Sequence, residues 1–100
     1  MAALNETIHQ PVRLRIMASL VTLEPGNEVD FTYLRDLLEV TDGNLGAHLR
    51  KLEEAGYVEV EKSFKGRRPN TNLRVTREGR DAFRDYARTM KQVLQDLSVS

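Results

Sequence analysis

Apolar residues at Ile8, Val12, Ile16, Leu20 and Leu23, with Met17 and Val21 beside them, recur at helical spacing and predict a first helix over residues 8–23. Pro11 suits its first turn, where a missing N–H does no harm. Glu24-Pro25-Gly26-Asn27 breaks the pattern. Glu28-Val29-Asp30 reads as a very short strand, and Asp30 can cap a second helix, Phe31 to Leu38, with Phe31, Leu34, Leu37 and Leu38 along one side. Val40 closes a brief turn. Thr41 then caps a third helix running to Ala55, with Leu45, Leu49 and Leu52 as its buried seam, and Gly56 stands where a left-handed residue ends a helix.

The period changes at Tyr57. Tyr57-Val58-Glu59-Val60-Glu61-Lys62 alternates apolar and polar, the signal of a half-buried strand, and Thr71, Leu73 and Val75 give a returning strand the same alternation. Lys65-Gly66-Arg67-Arg68-Pro69-Asn70 lies between them as an exposed hairpin tip, with Gly66 and Pro69 as turn residues. Thr76 caps a long last helix from Arg77 to about Leu97. No internal repeat or low-complexity tract interrupts this order.

Charge changes the reading of the hairpin. The chain has 100 residues and a formal net charge of zero, with 15 basic and 15 acidic residues. Yet Lys62, Lys65, Arg67, Arg68, Arg74 and Arg77 fall in one stretch that contains no acid. A cationic field at a loop tip is a footprint for phosphate even on a neutral molecule. A solvated, charged hairpin is the bland alternative. Arg74 and Arg77 belong to the returning strand and the start of the last helix, which leaves Lys65, Arg67 and Arg68 as the charge that faces outward.

The second and third helices meet across about three residues, the helix-turn-helix arrangement. The segments His9–Ile16, Asp30–Leu34, Asn44-Leu45, His48–Gly56, Gly66–Pro69 with Thr71, and Val75–Gly79 together resemble the winged helix DNA-binding domain of small prokaryotic transcription regulators of the MarR and ArsR types. The resemblance covers roughly residues 8–90 and implies a mainly α fold with a small β-hairpin (α+β), a winged helix-turn-helix with an extended C-terminal dimerisation helix. The expected organisation is a single domain over 1–100, with core and wing over about 8–76 and the last helix over 77–97.

The residues make a separate case for DNA. On a helical wheel, Leu45, Leu49 and Leu52 define the core side of the third helix, and Gly43, Ala47, Arg50, Lys51 and Glu54 point away from it, with Asn44 and Gly46 flanking. Small residues at Gly43, Gly46 and Ala47 let the backbone approach a major groove about 12 Å wide, although tolerance at a helix start explains the glycines equally simply. Asn44 can pair bidentately with adenine, Arg50 and Lys51 can reach guanine edges or phosphates, and Thr41 at the helix N-terminus suits a phosphate. His48 flanks the buried stripe, where it packs or hydrogen-bonds and stays within reach of phosphate. Asp42 favours the helix dipole, repels phosphate and reads mainly as a capping residue. In the wing, Arg67 and Arg68 can straddle the backbone or enter a narrow minor groove, with Lys65, Asn70 and Asn72 in reach of phosphates. Arg13 and Arg15 are within reach of the DNA backbone but are expected rather to snorkel or to pair with acids in Phe31–Glu39.

Phe83, Tyr86, Met90, Val93 and Leu97 step by three and four along the last helix, with Ala87 and Leu94 alongside. This short heptad seam reads as a homodimer surface, the alternative being an ordinary core-facing helix. A two-fold dimer would place two recognition helices about one turn apart on a pseudo-palindromic operator.

There are no cysteines, so disulfides and thiolate metal sites are excluded. His9 and His48 lack partners at metal-ligand spacing, no glycine-rich phosphate loop is present, and no acid/base pair stands out; neither catalysis nor a cofactor is expected. No stretch approaches the roughly 20 apolar residues that span a bilayer, and no export signal is visible, which points to the cytoplasm, with nucleoid association when DNA is bound. The expected function is sequence-specific double-stranded DNA binding as a homodimeric regulator, a repressor before an activator, with a possible small-molecule effector that no residue identifies. The rival is a winged helix used for protein–protein assembly, favoured by the zero net charge and the acids at Asp42, Glu53, Glu54, Glu59 and Glu61; an RNA-binding module is a third reading.

Overall fold

A computed structural model of the chain describes residues 3–98. The elements run α1 (Pro11–Val21), β1 (Val29–Asp30), α2 (Phe31–Leu38), α3 (Asp42–Glu54), β2 (Val58–Lys65), β3 (Arg68–Val75) and α4 (Arg77–Ser98). All seven elements follow the sequence pattern, with shifted ends.

The first shift is at α1, which begins at Pro11 rather than Ile8. Gln10 is extended (φ −108°, ψ 134°), as a residue before proline prefers, and its side chain caps the helix by accepting from the Arg13 N–H at 2.8 Å. Ile8 is fully buried, but it sits in a preceding turn held by Asn5. At the other end, α1 stops at Val21. Arg80 of α4 donates to the carbonyls of Val21 (3.1 Å) and Leu23 (2.7 Å), satisfying acceptors the helix leaves open.

The turn between α2 and α3 contains no glycine. Glu39 itself takes the left-handed conformation (φ 56°), and Arg15 donates to the Leu38 carbonyl at 2.9 Å. Arg15 therefore caps α2 instead of pairing with its acids, because the open carbonyls at a helix C-terminus attract a cation as strongly as a mobile surface carboxylate does. Arg13 likewise finds no acid and donates to the Thr7 carbonyl. Thr41 caps α3 by accepting from the Asn44 N–H at 3.1 Å. The helix ends in a Schellman motif: Tyr57 N–H donates to the Leu52 carbonyl and Gly56 N–H to that of Glu53, both at 2.9 Å, with Gly56 at φ 81°.

The three strands form an antiparallel sheet in the order β1-β3-β2. Val58 pairs with Val75 and Val60 with Leu73, so Val58, Leu73 and Val75 face the helices. The ladder continues to Lys65 opposite Arg68, and only Gly66 and Arg67 lie in the turn. The expected six-residue tip is thus mostly strand. Gly66 at φ 65° permits the two-residue hairpin, and Pro69 falls at a non-hydrogen-bonded position, where its missing N–H would have pointed away from β2.

Ile16, Met17 and Leu20 of α1, Leu34 and Leu38 of α2, and Leu45, Leu49 and Leu52 of α3 close over that sheet face as one core. Each fully buried leucine contributes about 2 kcal/mol. Thr76 ties α4 to this body, donating to the Gly56 carbonyl at 2.7 Å and accepting from the Gly79 N–H at 2.9 Å. Gly79 packs directly on the Tyr57 carbonyl, with no room for a side chain.

Candidate nucleic-acid interface

The α3 surface turned from the core consists of exposed Thr41, Asp42, Gly43, Asn44, Ala47, Arg50 and Lys51, with Gly46 half-buried among them. Neither Gly43 nor Gly46 has a left-handed backbone, and a methyl group at either would meet nothing within 4 Å. The chain's own packing therefore does not demand glycine there. Gly46 and Arg50 line a depression shared with Phe31, Val60, Lys62 and Thr71, which makes the outer side of α3 continuous with the root of the wing.

Two arginines, each paired with two carboxylates, shape the field around this surface. Arg35 of α2 donates to Asp42 at 2.7 Å and also pairs with Asp36 at 3.0 Å, which masks the one acid in the first turn of α3. Arg74 on β3 is held by Glu59 at 2.6 Å and Glu28 at 3.1 Å, so it is neutralised on the sheet. Among the described residues no carboxylate pairs with Lys65, Arg67 or Arg68, nor with Arg50 or Lys51. Among the described residues, the wing tip and the middle of α3 thus both carry unmasked positive charge.

The remaining sequence-selected residues divide. Asn70 is half-buried near the tip, opposite Ser63, and its side-chain nitrogen has no partner among the described residues. Asn72 lies farther back, across from Asp30 on one side and Glu61 on the other, a poorer setting for phosphate. His48 points to α1, where its Nδ1 stands 3.2 Å from Arg13 Nη1. Burial, and then the Arg13 charge, lower its pKa from 6.5, which keeps the ring neutral. His48 ties the helix to the body while its neighbours face outward.

On α4, Tyr86 is 4% exposed and its hydroxyl lies 2.7 Å from His9 Nδ1, so it belongs to the chain's own core; burial pushes its pKa upward. Phe83 stacks beside it, with ring centroids 6.2 Å apart. Met90 and Val93 are half-buried, and Leu94 and Leu97 are 58% and 78% exposed. Leu14 of α1, Phe83, Ala87, Met90 and Leu94 line an apolar groove along this side.

One residue escaped the sequence reading. Phe64 is 72% exposed near the wing tip. The alternation Val58, Val60, Lys62, Phe64 already places it on the inner sheet face, beyond the point where the core ends.

A capped helix-turn-helix followed by a basic two-stranded wing defines a winged helix module. The chain belongs to the winged helix DNA-binding domain family, whose model matches residues 12–94, a family of DNA-binding domains and not of enzymes. It is 42% identical over 86 residues to an uncharacterised protein of Methanocaldococcus jannaschii, covering 86% of this chain and 90% of that protein. Among solved structures, it is similar to a transcriptional regulator homologue from Pyrococcus horikoshii OT3 (TM-score 0.85, 29% identity, 95% of this chain and 91% of that one). A transcriptional regulator of the MarR family from Enterococcus faecalis V583 shares the fold (TM-score 0.71, 22% identity, 93% and 80%). No helix among the described residues is long and apolar enough to cross a membrane.

Proposed function

We propose that the protein is a homodimeric, sequence-specific double-stranded DNA-binding transcriptional regulator of the cytoplasm. Thr41, Gly43, Asn44, Gly46, Ala47, Arg50 and Lys51 enter the major groove, and Lys65, Arg67, Arg68 and Asn70 hold backbone or minor groove. The observation that carries this is the unmasked charge of Lys65, Arg67 and Arg68, together with a small-residue helix face whose glycines the chain's own packing does not require. Exposed Leu94, which lines the groove beside α1, and exposed Leu97 one turn farther on support pairing of two chains through α4. Repression is the simpler outcome, since a dimer occupying both grooves obstructs polymerase.

Selection of bound duplexes from a random pool tests the reading. Enrichment of a palindrome with half-sites about one helical turn apart is expected. Arg67→Ala with Arg68→Ala weakens binding to every sequence and lowers the salt slope by about 2, whereas Asn44→Ala relaxes base choice. Absence of any duplex binding at low salt sinks the proposal in favour of a protein-assembly module.

A further inference from the structure

Phe64 lies on the sheet face shared by Val58, Val60 and Lys62. The first two valines pack toward the body, and Lys62 lines the depression next to Gly46 and Arg50. Phe64 is the next residue on that face, about 6–7 Å farther out along the strand. Its cross-strand partner is Pro69. The pair occupies a non-hydrogen-bonded position, where opposing side chains are closest, so ring and pyrrolidine form one apolar platform. Both residues are exposed.

The surroundings of this platform restrict what covers it. Lys62 shares its sheet face, Lys65 and Arg68 form the next pair on the opposite face, Arg67 lies in the turn, and the sequence from Lys62 to Arg77 holds no acid. Charge complementarity therefore commits the occupant to a polyanion. An open phosphate surface offers nothing to a phenyl ring. A minor groove does, because two phosphate rows flank deoxyribose walls and stacked base edges, and apolar side chains insert between base steps there. Resting on the DNA-binding reading above, we propose that Phe64, backed by Pro69, is an apolar wedge that enters the minor groove and partly unstacks one base step, bending the duplex. Lys65, Arg67 and Arg68 hold the phosphates on either side. Pyrimidine–purine steps open most easily, so the wedge adds a preference for such a step outside the segment read by α3.

The test uses the full chain and a selected duplex carrying 2-aminopurine at a flanking TA step and a terminal fluorophore pair. Wild type is expected to raise the 2-aminopurine fluorescence and shorten the end-to-end distance. Phe64→Ala, with an unchanged circular dichroism spectrum, should lose both signals and bind about tenfold more weakly with an unaltered salt slope. Phe64→Leu should keep most of the bend. Arg67→Ala with Arg68→Ala provides the contrast of a reduced slope. If Phe64→Ala binds and bends DNA as wild type does, the wedge is overturned and the DNA-binding reading stands. If the wild type binds no duplex at low salt, both fall.

Discussion

Arg13 Nη1 on α1 and His48 Nδ1 on α3 stand 3.2 Å apart, a direct tie between the first helix and the proposed recognition helix. Arginine can only donate, so Nδ1 accepts and the imidazole proton sits on Nε2. The ring's pKa lies below 6.5, through burial first and the Arg13 charge second. A histidine depressed in the folded state binds fewer protons there than when unfolded. Its contribution to stability is complete above 6.5 and is lost as pH falls through the lower folded value. The urea midpoint should therefore drop between about pH 7.5 and pH 5.5, and His48→Gln should flatten that drop. An NMR titration placing the His48 midpoint at or above 6.5 would contradict the pairing.

Gly46 and Gly79 have opposite reasons for being glycine. Around Gly46 there is space, so Gly46→Ala should stabilise the chain by about 0.5–1 kcal/mol through helix propensity while weakening specific DNA binding. A side chain at Gly79 collides with the Tyr57 carbonyl, and Gly79→Ala should cost about 1–3 kcal/mol. Denaturation midpoints and binding isotherms on both variants check this. A Gly46→Ala protein with full affinity would mean that α3 does not approach the groove closely.

The Arg35–Asp42 pair is partly exposed, so Asp42→Asn should cost less than about 1 kcal/mol. The same change releases Arg35 beside the α3 N-terminus. Affinity for any duplex should rise, and the salt slope should steepen by up to about 1. Fluorescence anisotropy across a salt series reads both quantities; unchanged values would place this helix end away from phosphates.

Leu94 and Leu97 contribute little to the chain's own core, so their joint replacement by glutamate should leave the helical circular dichroism spectrum unchanged and remove only the concentration-dependent stability that pairing adds. Sedimentation should shift from dimer to monomer, and affinity for a two-half-site duplex should fall. Tyr86→Phe should do the reverse, costing about 1 kcal/mol by removing the contact to His9 while preserving the assembly state.

The capped helices were legible because each carries its own signals: Thr41 and Gly56 bracket α3, and Thr76 opens α4. Tyr86 was harder. Its heptad spacing says that one side of α4 is apolar, but not whether that side meets the chain's own α1 or another molecule. Gly79 carried no local sign of a close approach, since the Tyr57 carbonyl it packs on comes from another element. The sequence leaves Arg13 and Arg15 to snorkel or to pair with acids, yet Arg13 bonds the Thr7 carbonyl and His48, and Arg15 bonds the Leu38 carbonyl. Backbone acceptors leave no trace in composition.

The hairpin turn at Gly66-Arg67 has a thermodynamic consequence. Fixing a residue's backbone costs about 1–2 kcal/mol, and a long floppy arm would incur that cost on every residue it ordered on DNA. Here all but two residues of the wing are already locked in a ladder. In the proposed complex, association then freezes side chains of the wing rather than its backbone, and most of the attraction of Lys65, Arg67 and Arg68 to the duplex would be retained as affinity.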